Sequence, residues 1–314
     1  MLHLLAEFYR TPWALDPATY ALVESVLARW AEGVRLAPDQ IRAAVGDSPQ
    51  ANVQRRQQAA AMGGGQVAVL PVYGVLTHRA VDAESTSTPL TSTERLAQQF
   101  RAAVANPDVS AIVLDVNSPG GSVFGVQELG DTIYSLRGQK PVKAVANASA
   151  ASGAYWVAAQ ADEIIVTAGG VVGSVGVIMK HVNAAEAYKQ KGIEQTYITA
   201  GKYKAEGNDA GPLDAEGQAY LQSMADTYYT AFTKAVAKGR GQPIDAVRGE
   251  AFGQGRMRTA RDAVASGMAD RIDTLESVIA SLLKPSARRT GGLSAAAAMA
   301  QIEALNAAAP RISV

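Results

Sequence analysis

The feature that most restricts the fold is an alternation of short apolar segments with helical segments from Val67 onward. The apolar segments are rich in β-branched residues and read "VAVLPVYGVLT", "SAIVLDVNS", "KPVKAVAN", "EIIVT", "SVGVIMK" and "EQTYIT". Between them lie "TSTERLAQQFRAAVAN", which opens with a Thr91/Glu94 capping box, and "VFGVQELGDTIYSLRG", and a long helical run follows from Asp214 to about Lys238. This alternation predicts a layered α/β domain.

The chain divides into four regions by composition. Residues 1–61 are predicted to form a helical N-terminal extension, because "DPATYALVESVLARWAEGV" has apolar residues at helical spacing and a proline near its start. The glycine-rich stretch 62–66 is a linker, and 67–284 is the α/β domain. Residues 285–314 form an alanine-rich tail of low complexity.

Composition excludes several kinds of protein. Among 314 residues, 29 lysines and arginines balance 29 aspartates and glutamates, which argues against a nucleic-acid partner. The absence of cysteine removes thiol catalysis, disulfides and cysteine metal sites. No apolar run approaches the roughly 18 residues of a membrane-spanning helix. We expect a cytoplasmic protein with no membrane anchor, no cofactor and no metal.

Two turns between a strand and a helix carry the candidate chemistry. In the first, "NSPGGS", a proline and two glycines precede a helix, and outward N–H groups could form an oxyanion hole. In the second, "NASAASGAYWVAAQADEIIV", Ser149 and Ser152 precede a helix whose first N–H, that of Gly153, could be a second donor. Taken alone, the first is more often an ordinary turn and Ser152 an ordinary N-cap. Two such turns in neighbouring units favour catalysis.

Four segments together resemble one family. "NSPGGS", "ASAASGAYWVAAQADEIIVT", "GSVGVIM" and "GKYK" are similar, in order and spacing over roughly residues 67–283, to the signal peptide peptidase SppA family of serine–lysine proteases. The resemblance implies the layered α/β fold of the ClpP and crotonase proteins, with repeated ββα units. It also implies a homo-oligomer shaped like a ring or dome.

The resemblance assigns roles to five residues. It implies that Ser152, rather than Ser149, is the nucleophile. The other implied roles are Lys204 of "GKYK" as general base, Ser174 of "GSVGV" as the residue that orients the lysine, and Gly121 and Gly153 as oxyanion donors. A lysine accepts a proton only when neutral, which requires an apolar site without a close carboxylate. Glu206 would lie on the same side as Lys204 in an extended strand and would have to turn away.

His181 is the alternative base. Its separation from Ser152 is close to that between serine and histidine in ClpP, and histidine is the commoner general base. A triad would also need a carboxylate, and no acid stands in a matching context. The assignment therefore favours Lys204.

The ends of the chain suggest a biological role. The helical N-terminal region and the alanine-rich end resemble the phage and prophage branch of the family, capsid assembly proteases that cut scaffold, portal or coat proteins in the host cytoplasm or prohead. Three alternatives are a cytosolic SppA-like peptide-degrading protease, a crotonase-like acyl-CoA enzyme and an inactive scaffold or interaction protein. The tail after Lys284 is also a candidate for self-trimming, because "SAAAAMAQ" offers small side chains.

Overall fold

The predicted alternation of strands and helices is present in the computed structural model, which describes residues 8–9, 11–31, 66–79 and 90–283. The strands are β1 (Trp13–Leu15), β2 (Gln66–Tyr73), β3 (Val75–Thr77), β4 (Leu90–Ser92), β5 (Val109–Ser118), β6 (Gly120–Ser122), β7 (Val142–Ala151), β8 (Glu163–Val166), β9 (Val171–Gly173), β10 (Met257–Thr259) and β11 (Arg271–Ile272). The helices are α1 (Pro17–Ala31), α2 (Thr93–Ala105), α3 (Val126–Leu136), α4 (Gly153–Ala158), α5 (Ala185–Gln190), α6 (Ala215–Arg240), α7 (Ile244–Arg248), α8 (Ala260–Ala265) and α9 (Leu275–Leu283), with a 3₁₀ helix at Glu250–Gly255.

The larger sheet is built around β7. Within the described residues it has seven strands, and β2, β5 and β7 run side by side in parallel. The other edge of β7 is shared, because its first half pairs with β8 and its last three residues, Ser149 to Ala151, pair with β9. β8 continues to β11, and β9 continues to the antiparallel β10. The carboxyl end of β7 is therefore held between β5 and β9, at the edge of a parallel sheet where ligands usually bind.

Both faces of this sheet are covered, as a parallel sheet requires. Residues 111 to 116 of β5 are buried without interruption. On one face, helices α2, α3, α4 and α6 enclose the main core, in which the rings of Trp156 and Phe232 stack 4.7 Å apart. On the other face, Leu275 and Val278 of α9 pack against the sheet.

A smaller sheet lies next to the first glycine-rich turn. Its strand order is β1, β6, β3, β4. The glycine strand β6 lies between two neighbours, with β3 parallel on one edge and β1 antiparallel on the other. The residues just before α1 thus become part of the α/β domain through β1.

Several local predictions differ from the structure. The N-cap of α2 is Ser92, whose hydroxyl accepts from the amide of Arg95, whereas the hydroxyl of Thr91 donates to the carbonyl of Tyr73. Residues 194–199, predicted as a strand, have no regular structure, and "SVGVIMK" contributes only an isolated bridge at Ile178. Such short segments need a neighbouring strand, and in these two cases the described residues provide little or none. The predicted helix before the linker is present as α1, but residues 13–15 form a strand.

The predicted boundaries of the domains remain predictions. Of the linker 62–66, the structure describes only Gln66, the first residue of β2. The tail 285–314, with its predicted self-trimming, lies outside the described residues. Within the described residues, no helix combines the length and the apolar character needed to cross a membrane.

Candidate active site

Ser152 occupies a sharp turn between β7 and α4. Its φ of 51° and ψ of −120° are a backbone conformation that costs a non-glycine residue on the order of 1–3 kcal/mol. The turn is fixed at both ends, because the amide of Ser152 donates to Gly173 at 2.7 Å and its carbonyl accepts from Trp156 at 3.0 Å. A serine on a strained turn from strand to helix is the arrangement that presents the hydroxyl of many hydrolases. Its Oγ lies 3.5 Å from the carbonyl oxygen of Gly176.

Ser149 has a different environment. It lies in β7, where it pairs with Val171 of β9 beside an irregularity in the pairing of β7 with β5, and it is three residues before the turn. It therefore has neither the strained backbone nor the helix start that Ser152 has. The choice of Ser152 over Ser149 as the nucleophile stays a prediction.

The two predicted oxyanion glycines come from different elements that approach closely. Gly121 is the middle residue of β6 and Gly153 is the first residue of α4. A methyl group on Gly153 would lie 3.5 Å from the amide nitrogen of Gly121, and one on Gly121 would lie 2.0 Å from the carbonyl oxygen of Leu76. Only glycine fits at position 121, because the backbone of β3 passes too close for a side chain. The two backbones are near enough for both N–H groups to serve one oxyanion.

Ser174 lies close to the turn that holds Ser152. Ala151 and Gly173 are paired in the ladder between β7 and β9, and the two serines directly follow these partners. Ser174 also has a positive φ, 54°, is buried, and donates its amide proton to the carbonyl of Arg256 at 3.1 Å. The structure thus brings Ser152, Ser174, Gly121 and Gly153 to one place.

Lys204 is not at this place. It lies in a series of turns with its side chain exposed, and its amide donates to Gly201 at 3.1 Å. Its ammonium group has no hydrogen bond or ion pair with any described residue. The extended strand that raised the question of Glu206 is also absent, because Glu206 is part of the same turns and its side chain lies against the start of α6. The role of Lys204 as the base stays a prediction.

His181 is engaged elsewhere. Its Nε2 lies 2.9 Å from the carbonyl oxygen of Asn208, in the segment that follows Lys204. In the described part of the chain, no carboxylate hydrogen-bonds to its ring. The structure therefore gives His181 neither a serine nor an acid, and it stays the alternative base.

The sequence did not indicate two further features of this region. Asp115, buried at the centre of β5, accepts hydrogen bonds from the hydroxyl of Tyr73 and from the side-chain amide of Asn147, which links β2, β5 and β7. A cavity of about 400 Å³ opens beside Ser174, between the residues that follow β9, helix α6 and the start of α1. An acid inside "AIVLDV" was the available signal for the first feature. The cavity is formed by elements that are far apart in the sequence, so no single sequence motif indicates it.

The described residues contain no group of three or more histidine, aspartate or glutamate side chains placed to hold a metal ion.

The chain is similar to proteins of one peptidase family. Residues 135–288 match the model of peptidase family S49. Head-tail preconnector protein GP5 of Enterobacteria phage P21 is 31% identical over 98% of this chain and 61% of its own length. Capsid assembly protease C of Escherichia phage lambda is 31% identical over 66% of this chain and 46% of its own. The chain belongs to peptidase family S49.

Similar proteins also occur outside phages. A putative protease of Methanocaldococcus jannaschii is 36% identical over 55% of this chain and 55% of its own length. The chain spans between 46% and 61% of the length of these three relatives. Among solved structures, the 1510-N membrane-bound stomatin-specific protease in complex with a substrate peptide covers 68% of this chain and 78% of its own, with a TM-score of 0.44 and 15% identity. The family match confirms the predicted family, and the parallel strands and covering helices of the described residues confirm the layered α/β fold class.

Proposed function

We propose that this S49 protein is a serine endopeptidase with Ser152 as its nucleophile. The observation that carries the proposal is the strained turn at Ser152, held next to the glycine strand β6. The hydroxyl attacks the carbonyl carbon of a peptide bond, and the amides of Gly121 and Gly153 stabilise the negative charge on the tetrahedral intermediate. The acyl-enzyme is then hydrolysed by water.

Lys204 is proposed as the base, with Ser174 orienting it. Ser174 already lies beside Ser152, but residues 191–204 are exposed throughout, so this segment has to come over the site for the ammonium group to reach Ser152. Moving the ammonium group of Lys204 out of water would also favour the neutral amine that a base requires.

A second copy of the chain is the proposed means of covering this segment. The segment 191–204 carries large apolar side chains that are exposed to solvent. Ile198 has 97% of its surface exposed, and Ile193, Tyr197 and Tyr203 are about half exposed. Exposed apolar side chains grouped in this way mark interfaces. Helix α6, which is largely exposed in its first half, would extend the contact. Light scattering should show a homo-oligomer, and a monomer at all concentrations would contradict this.

Proteins of a phage head are the proposed substrates. A relative that aligns with nearly the whole chain is a head-tail preconnector protein, and a second is a capsid assembly protease. On this basis the protein would cut scaffold, portal or coat proteins during head maturation, in the host cytoplasm or inside the prohead.

The test of the proposed activity compares Ser152→Ala with Ser149→Ala on a denatured protein substrate such as casein. Loss of the nucleophile should lower the cleavage rate by about 1,000-fold or more. Ser149→Ala should keep most of the wild-type rate, because Ser149 has no positive φ and is three residues away from the start of α4. Undiminished cleavage by Ser152→Ala would rule out this mechanism. Binding of an acyl-CoA without any proteolysis would favour the crotonase-like alternative.

A further inference from the structure

The strand β1 is held between two partners at the active site. On one edge it pairs with β6, in the register Trp13 with Ser122, Ala14 with Gly121 and Leu15 with Gly120. On its other edge, Trp13 exchanges two hydrogen bonds with Ile178, whose N–H and C=O lie 2.8 and 3.0 Å from their partners. The chain N-terminal to α1 therefore runs as an extended peptide through a slot next to Ser152.

The alternation of hydrogen bonds fixes which atoms face the site. Since Trp13 faces Ile178, the next residue, Ala14, must direct its N–H and C=O toward Gly121 of β6. The flanking bonds agree: the amide of Asp16 donates to Pro119 at 2.9 Å, and the amide of Val123 donates to Pro12 at 3.2 Å. Pro12, Ala14 and Asp16 thus form the edge that is bonded to the glycine strand.

The carbonyl oxygen of Ala14 lies where the oxyanion of a substrate would be. A methyl group placed on Gly120 would be 2.2 Å from this oxygen and 2.8 Å from the amide nitrogen of Gly153. One placed on Gly153 would be 3.2 Å from the same oxygen and 3.5 Å from the nitrogen of Gly121. The oxygen therefore lies next to both proposed oxyanion donors. A side chain on Gly120 or Gly153 would crowd this oxygen.

These are the features that a serine peptidase requires of a bound substrate. The substrate is extended, adds to the edge of a strand through backbone hydrogen bonds, and has its scissile carbonyl at the oxyanion donors. Residues 12–16 meet each requirement, with Ala14 on the acyl side of the bond and Leu15 on the amine side.

We propose that Ala14–Leu15 is a self-cleavage site, and that residues 12–16 are bound in the cleft as the protein's own first substrate. This inference rests on the proposed peptidase function. The hydroxyl oxygen of Ser152 bonds to the carbonyl carbon of Ala14, the bond from that carbon to the Leu15 nitrogen breaks, and the nitrogen leaves with a proton. That nitrogen becomes the new amino terminus at Leu15. Water then hydrolyses the Ala14 ester, which gives a carboxylate at Ala14 and restores the hydroxyl of Ser152. Until that happens, the segment closes the cleft to other peptides.

The bound segment also indicates which substrates the cleft accepts. Ala14 has no exposed surface, and its methyl group belongs to the main core, so the site on the acyl side takes a small side chain. On the amine side, Leu15 and Pro17 line the cavity beside Ser174, which has room for larger groups. An extended peptide with a small residue before the cut is therefore the expected substrate.

Aromatic packing holds the segment in this register. The indole N–H of Trp13 donates to the carbonyl of Phe8 at 2.8 Å, and the ring of Phe8 lies 5.0 Å from Trp13 and 4.6 Å from Tyr20. The cluster joins both sides of the Ala14–Leu15 bond, so cutting the backbone leaves the two ends close together. Cleavage is therefore best detected under denaturing conditions.

The experiment is intact-mass analysis of the denatured full chain after incubation, for wild type beside Ser152→Ala. Wild type should give a chain that begins at Leu15, and Ser152→Ala should stay uncut there. Ala14→Ser should be cut like wild type, whereas Ala14→Tyr should be cut more than about tenfold more slowly, because the larger side chain does not fit. A thermal melt of each variant shows whether it has folded.

Casein cleavage, measured on the same samples, separates this inference from the proposed function. Wild type that cuts casein but keeps its Ala14–Leu15 bond would overturn the inference and leave the peptidase function standing. A wild type that cuts neither would overturn both. Cleavage at Ala14–Leu15 that persists in Ser152→Ala would show that another protease makes the cut.

Discussion

At the scale of single residues, the two serines of the site share an unusual backbone conformation. Ser152 and Ser174 both have a positive φ, and each follows a residue of the paired ends of β7 and β9. Serine rarely adopts such a conformation unless the surrounding structure enforces it. The sequence motifs identified both serines, but the conformation itself depends on the pairing of two strands and could not be read from either motif.

Lys204 gives the prediction at this scale. Lys204→Ala should abolish cleavage of casein, because the hydroxyl of Ser152 then has no base. Folding should be retained, since the side chain is exposed and its ammonium group has no hydrogen bond or ion pair with a described residue. The matched control is Lys202→Ala, which removes a nearby exposed lysine that is bonded to Glu216. It should retain activity. If Lys204→Ala remains active and His181→Ala is inactive, the general base is His181 and not Lys204.

At the scale of elements, the fit between helices and strands determines the site. Helix α4 is buried over its whole length and is held by the stacking of Trp156 on Phe232 of α6. The apolar periodicity of the sequence predicted the central strands and most of α6, because long periodic segments carry strong signals. It missed β1 and placed a strand at 194–199, because a segment of three to six residues becomes a strand only where a partner exists.

The approach of α6 to the end of α4 gives the element-scale prediction. An alanine replacing a glycine within a helix usually stabilises it by about 0.5–1 kcal/mol. At Gly239 of α6 the added methyl group would lie 2.0 Å from the carbonyl oxygen of Ala159, so Gly239→Ala should instead destabilise the fold by roughly 1–3 kcal/mol. Gly130→Ala in α3 is the control, since its methyl group finds no atom closer than 3.4 Å. Chemical denaturation of both variants measures the difference, and equal stability would contradict this packing.

At the scale of the whole molecule, ion pairs join the end of α6 to the edge of the large sheet. Arg240, whose side chain is 7% exposed, forms a two-pronged ion pair with Asp270 at 2.7 and 2.9 Å. Burial alone would raise the pKa of Asp270, but the hydrogen bonds from Arg240 and from the amide of Ile164 outweigh it and lower that pKa below its ordinary value. Glu163 behaves in the same way, since hydrogen bonds from Lys143 and Arg271 lower its pKa against the effect of burial.

Stability should therefore fall in acid. A carboxyl group with a lowered pKa in the folded state stabilises the fold fully above its unfolded pKa, and that contribution is lost as the pH falls through the folded value. Asp270→Asn should cost about 1–2 kcal/mol at pH 7, since the carboxylate is partly exposed, and should reduce the loss of stability between pH 5 and about pH 2. Thermal melts across this range measure both effects. An unchanged acid response in Asp270→Asn would show that other carboxyl groups are responsible.

The central claim is that Ser152 is the nucleophile of an S49 endopeptidase, and covalent labelling tests it most directly. The protein is incubated to completion with a fluorophosphonate, which reacts with activated serines, and the modified residue is located by mass spectrometry of its peptides. The account predicts one adduct per chain, on Ser152, with Ser149 and Ser174 unmodified and with no adduct in Ser152→Ala. An adduct on a different serine, or casein cleavage that continues when Ser152 is unmodified, would contradict it.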